Sequence, residues 1–175
     1  LSAMIQAEER GDFLSHGGLL AMVLLLLVGG HVTTVNLLGN GTILREVIKA
    51  AAVLEKEYGV AADVFSVPSF SELRRDALSA EREALLKPTD KPRDPWVREC
   101  LAGRQGPFVA ATDYMKIVAD QIRQWVPGCY VALGTDGFGR SDSREALRGH
   151  FEVDRRWIVL AALKALADDG RIDRS

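Results

Sequence analysis

With 175 residues, the chain is long enough for one ordinary domain built on a single core. Hydrophobic residues make up 47% and charged residues 26%, which excludes a disordered, fully solvated chain. A net charge of -2 at pH 7 gives no support for nucleic acid as a main partner.

Residues 1–31 stand apart as an unassigned N-terminal segment, and 32–175 read as the domain. Leu19 to Val28 is an uninterrupted apolar run between Gly17-Gly18 and Gly29-Gly30. A helix that crosses a bilayer needs about 20 apolar residues, so this run is too short and no membrane role is expected. Glu8, Glu9 and Asp12 stand where a signal peptide would carry basic residues. A segment packed on the domain, or an end without its native partner, is the expectation. The chain begins at Leu1 without an initiator methionine, which suggests a fragment or a processed product.

Val32 to Leu38 has the β-branched and apolar content of a strand, and Gly39-Asn40-Gly41 is its turn. Thr42 then starts a helix to about Tyr58, with Ile43, Val47, Ala50, Ala51, Leu54 and Tyr58 on one face. Gly59 stops it. Ala62 to Val67 is a second strand, apolar enough on both faces to lie in a covered parallel sheet. Ser69 and Glu72 form a capping-box pair for a short helix, Phe70 to about Ala77. Residues 79–106 carry Pro88, Pro92 and Pro95 and read as an irregular excursion, a surface connection or an interface element. It has helical pieces at Ser79 to Leu86 and Trp96 to Leu101, and Trp96 and Val97 are expected in the core.

Pro107 to Ala111 is a third strand. Thr112-Asp113 is expected to cap a helix from Tyr114 to about Trp125, whose inward face is Tyr114, Ile117, Val118, Gln121, Ile122 and Trp125. Cys129 to Leu133 is the fourth strand. Ser143 to about Gly149 and Arg155 to about Ala167 are the last helices, the second capped by Asp154. Four strands alternating with helices predict an α/β domain, a three-layer α/β/α unit with a mainly parallel sheet.

The polar concentration of the chain is the loop that follows the fourth strand. It contains Gly134, Asp136, Gly137, Gly139, Arg140, Ser141, Asp142 and Arg144. Three glycines in six positions permit backbone shapes closed to other residues. Asp142 can cap the following helix, with Glu145 completing a capping box. Arg140 and Arg144 beside a helix start favour an anion. The simpler reading is a turn whose charged side chains pair with one another and fix an interface. The spacing Gly-x-x-Gly-x-Gly is neither the dinucleotide fingerprint nor a P-loop.

Other chemistry is sparse. Cys100 and Cys129 have no metal-type spacing and read as reduced thiols of a cytoplasmic protein. His16, His31 and His150 lie far apart, and no Gly-x-Ser-x-Gly or His-Glu-x-x-His string is present.

Four stretches, in order, carry a family resemblance: Leu37 to Arg45, Asp63 to Phe70, Thr112 to Lys116, and Gly134 to Glu145 followed by His150 to Asp154. Over about Val32 to Ile172 the chain resembles the C-terminal domain of the homodimeric, bacterial-type pyruvate dehydrogenase component. The resemblance implies a transketolase-type C-terminal fold. It implies a parent enzyme that uses thiamine diphosphate and magnesium to decarboxylate pyruvate and acetylates a lipoyl group on an acetyltransferase component. The implied partners are the remaining domains of the same enzyme, the homodimer partner and that acetyltransferase. The family's cofactor fingerprint, a Gly-Asp-Gly leading to Asn-Asn, does not occur here. The resemblance therefore implies no catalytic, cofactor-binding or metal residue in this chain, which is expected to be inactive alone.

Overall fold

The computed structural model describes residues 33–89 and 91–173. The apolar run 19–28 and the segment 1–31 lie outside the described residues. The first strand, β1, is Thr34–Gly39, and a 3-10 turn at Gly41–Ile43 leads into helix α1, Leu44–Tyr58. Then follow β2 (Ala61–Ser66), α2 (Phe70–Leu86), α3 (Trp96–Leu101) and β3 (Phe108–Ala111). The chain closes with α4 (Lys116–Asp120), a 3-10 turn at Arg123–Trp125, β4 (Tyr130–Leu133), α5 (Arg144–His150) and α6 (Arg155–Asp168).

The four strands form one sheet in the order β2-β1-β3-β4, and every pairing is parallel. Side chains alternate across it, as the two-residue period of a strand requires. Val35, Leu37, Val109 and Ala111 point into a core roofed by α1 and α6. Leu38, Phe108, Ala110, Tyr130 and Ala132 point into a second core under α2, α3 and α4. The result is the three-layer α/β/α arrangement read from the sequence.

Asn36 interrupts this apolar pattern in the middle of β1. It is fully buried. Its amide nitrogen donates to the carbonyls of Gln105 at 2.8 Å and Pro107 at 3.4 Å. These bonds tie the β1 strand to the chain entering β3.

Several local expectations are corrected. Phe70–Leu86 is one 17-residue helix and not two pieces, because Leu78 and Ser79 carry no breaker and Ala77 and Ala80 keep one buried face. Ser69 caps it as expected, its hydroxyl oxygen accepting from the Glu72 N–H. Val97 is buried, but Trp96 is 58% exposed, since it is the first residue of α3 and projects from it. The expected helix from Tyr114 to Trp125 is cut to five residues plus a 3-10 turn. Ile122 and Trp125 are core, whereas Tyr114 and Ile117 are exposed. The physical reason lies in the glycine loop, which lies against Tyr114 to Lys116 and delays the helix start.

Candidate functional site

In an open parallel sheet, ligands sit outside the carboxyl ends of the strands, where the strand order reverses. Here the reversal falls between β1 and β3. A crevice of about 610 Å³ opens there, lined by Asn40, Gly41, Ser69, Tyr114 and Val118 among others. Its Asn40 and Ser69 side chains are already engaged in holding the fold. The Asn40 amide donates to the carbonyls of Val67 at 2.9 Å and Pro68 at 3.1 Å. The Ser69 hydroxyl is occupied by the cap of α2.

Beside this crevice stands a constellation that the sequence does not announce. The Thr42 hydroxyl donates to Asp113 Oδ2 at 2.9 Å. Arg148 donates from Nε to Asp113 Oδ1 at 3.0 Å and from Nη2 to Asp113 Oδ2 at 2.6 Å. The same guanidinium reaches the Thr42 oxygen at 3.1 Å. This two-pronged pair joins the ends of β1 and β3 to α5. The Arg148 side chain is only 11% exposed. Burial works to raise the Asp113 carboxyl, but hydrogen bonds from Arg148 and Thr42, with the charges of Arg148 and Arg144, outweigh it and hold the group below the usual carboxylate range.

Replacing Arg148 by methionine should cost about 2–3 kcal/mol in chemical denaturation, because Asp113 is left half-covered without its partner. The sign of the pH effect follows from the depressed carboxyl. Its stabilisation is present above the unfolded value of about 4 and is lost as pH falls through the lower folded value. The unmodified chain should therefore lose stability mainly below about pH 4, and the methionine variant should lose less there. An unchanged acid limb in the variant would assign that limb to other groups.

A polar cleft of about 350 Å³ borders this pair, lined by Glu46, Lys49, Arg144, Glu145, Arg148, Asp154, Arg155 and Arg156. Glu46 accepts from Lys49 Nζ at 2.9 Å and from the Arg155 N–H at 3.3 Å. Asp154 caps α6 through Arg156 N–H at 2.9 Å and Trp157 N–H at 3.3 Å, as expected from the sequence.

The glycine loop is where the sequence placed it, between β4 and α5, but its side chains do not pair with one another. Gly134 lies so close to Lys116 that a Cβ would strike its backbone N and Cα. Thr135 N–H donates to the Tyr114 carbonyl at 2.8 Å. Asp136 Oδ1 accepts from the Lys116 N–H at 2.9 Å, so it caps α4 from twenty residues away. That replaces the Thr112-Asp113 cap expected from the sequence. Gly137 has φ of 102°, a region that favours glycine. Gly139 is exposed with open space about it, and Ser141 is exposed. Arg140 Nη1 lies 3.4 Å from His150 Nδ1. Asp142 is not the cap of α5. Its Oδ1 accepts from the Ser143 N–H at 2.7 Å, and Ser143 is the cap, accepting from Ala146 N–H at 3.3 Å. A serine here can cap one residue later because the Asp142 carboxylate turns the chain into place.

Among the described residues, no group of three or more His, Cys, Asp or Glu could hold a metal ion. Both cysteines are free and exposed. No described helix is long and apolar enough to cross a membrane. The Asp113–Arg148 pair escaped sequence reading because its members are 35 residues apart. A useful signal was Asp113 itself, an acid beside Thr112 at a strand end.

Comparison with known proteins agrees with this architecture. The chain is 64% identical over 140 residues to the pyruvate dehydrogenase E1 component of Pseudomonas aeruginosa, covering 79% of this chain and 16% of that protein. It is 52% identical over 148 residues to the pyruvate dehydrogenase E1 component of Escherichia coli K12, covering 84% and 16%. The corresponding protein of Mycobacterium tuberculosis is 46% identical over 139 residues, covering 79% and 15%. The chain thus spans about a sixth of the length of these relatives. A solved split gene transketolase, described as an inactive beta4 tetramer, shares the fold with a TM-score of 0.51 at 22% identity, over 77% of this chain and 40% of that one. Residues 28–154 match the family described as the transketolase-like TK C-terminal domain. The chain belongs to that family.

Proposed function

We propose that residues from about 32 onward are the C-terminal, non-cofactor-binding domain of a pyruvate dehydrogenase of the acetyl-transferring, homodimeric type. In this reading the parent enzyme is cytoplasmic and works in the pyruvate dehydrogenase complex. It decarboxylates pyruvate with thiamine diphosphate and magnesium and passes the acetyl group to a lipoyl group of the acetyltransferase component. This domain completes the dimer and supports the active site formed elsewhere. The observation that carries the reading is the high identity to E1 components confined to about a sixth of their length.

The chemistry of the switch-point crevice supports it. Its lining holds no carboxylate for magnesium, and the Asn40 amide is already committed to two backbone carbonyls. These residues do not fit thiamine diphosphate with its metal. Calorimetric titration of the chain with thiamine diphosphate and magnesium should show no binding heat, and pyruvate should not be consumed. Turnover by this chain alone would sink the proposal.

A second reading has one observation in its favour. Five cationic side chains face three carboxylates in the cleft beside Arg148. A free-standing anion-binding or regulatory module would use the glycine loop 134–144, whose Arg144 lines that cleft. Phosphate titration followed by amide NMR decides it: shifts centred on residues 134–144 favour the module, and shifts scattered over the surface reject it.

A further inference from the structure

Phe138, at the apex of the glycine loop, is 98% exposed. A large aromatic side chain in water is unfavourable, and here it is not on a loose tether. The loop is fastened on one side by Thr135 and Asp136 to Tyr114 and Lys116. On the other side Asp142 and Ser143 fasten it to α5. The segment against which it lies exposes Tyr114, Met115 and Ile117. The two strings meet at Gly134, where the missing Cβ allows backbone to rest on backbone. One end of the sheet therefore displays four large apolar side chains on an anchored frame.

The charges at this end are unequal in their commitments. Asp136 and Asp142 spend their carboxylates on backbone N–H groups of the domain itself. Arg144 adds its charge to the field on Asp113 but makes no hydrogen bond or ion pair among the described residues, and Arg140 has only the long contact to His150. Phe, Tyr, Met and Arg are the residue types that concentrate at the buried centre of protein interfaces. Unspent guanidinium groups want acceptor oxygens on the other side.

We propose that Phe138, with Tyr114, Met115 and Ile117, is the plug by which this domain seats in the rest of its own enzyme. The receiving surface is an apolar socket rimmed by carboxylates or carbonyls. The occupant is argued from length: about five-sixths of each relative's polypeptide lies outside the part this chain matches. The inference rests on the domain reading given under Proposed function.

The test uses the full-length enzyme. A benzophenone amino acid is placed at position 138 and, in a separate preparation, at Leu85, an exposed apolar residue near the end of α2. After irradiation the adducts are mapped by mass spectrometry. Adducts from position 138 to peptides outside this domain are expected. In parallel, Phe138→Ala should raise the rate of proteolytic release of the domain on the order of tenfold. Adducts from Leu85 but none from 138 would overturn the plug and leave the domain reading intact. Adducts from 138 only to the same loop of a second copy would also overturn it, in favour of a contact between copies. Adducts from neither position would remove both the plug and the reading beneath it.

Discussion

Alanine in place of Gly134 should cost about 3 kcal/mol and release the loop from α4. The added Cβ would fall on the backbone N and Cα of Lys116 and 2.9 Å from the Met115 carbonyl carbon. Backbone atoms have no rotamer into which to retreat, so the two segments must part. Parting them breaks the Thr135–Tyr114 bond and the charge-assisted bond from Lys116 N–H to Asp136. A neutral hydrogen bond contributes about 1 kcal/mol and one to a charged group about 2, which sets the size of the effect. Denaturant unfolding gives the loss. Amide exchange tests its cause, because the Lys116 and Thr135 amides should lose protection before the sheet does. Unchanged protection at Lys116 would show that the contact is not what holds the loop.

Aspartate in place of Asn36 should be still more damaging, about 3–5 kcal/mol at neutral pH. The side chain is fully buried on β1, the strand between β2 and β3, and its amide nitrogen points at the carbonyls of Gln105 and Pro107. A carboxylate there would face the oxygen lone pairs of those two carbonyls. Burial would raise its folded pKa above the unfolded value of about 4. The sign is then the reverse of that for Asp113. The variant should be worst at neutral pH and should recover as pH falls and the group takes up a proton it can donate. A loss that does not shrink toward acid pH would mean that shape, and not charge, sets the cost.

The layers of the fold were readable because their signal is local. Each strand carries its own run of apolar residues, and α1 and α6 carry their own stripes and caps, Gly59 at the end of one and Asp154 at the start of the other. What failed were the places where distant chain decides local structure. The periodicity of 114–125 promises a long helix, but Gly134 and Asp136 reset its start at Lys116. Nothing in the sequence near Met115 records that. The turn from α5 to α6 was hidden for another reason. Glu152 adopts φ of 60°, a conformation expected of glycine or asparagine, while its neighbour Val153 is driven fully into the core. The candidate loop was found by its composition, whereas the Asp113–Arg148–Thr42 cluster was assembled by topology alone.

The pairing of α1 with α6 has a consequence for how the chain is made. Val47, Ala50 and Leu54 of the first helix are covered by Ile158, Ala162 and Leu166 of the last. The residues matched to the family end at 154, before that cover begins. A ribosome that has delivered everything up to Asp154 has therefore released a sheet with one oily flank covered by α1 alone. Synthesis must run on through Leu166 before the layer can shut, so this domain matures only once its tail has emerged, and chains stalled or clipped ahead of that point become work for chaperones.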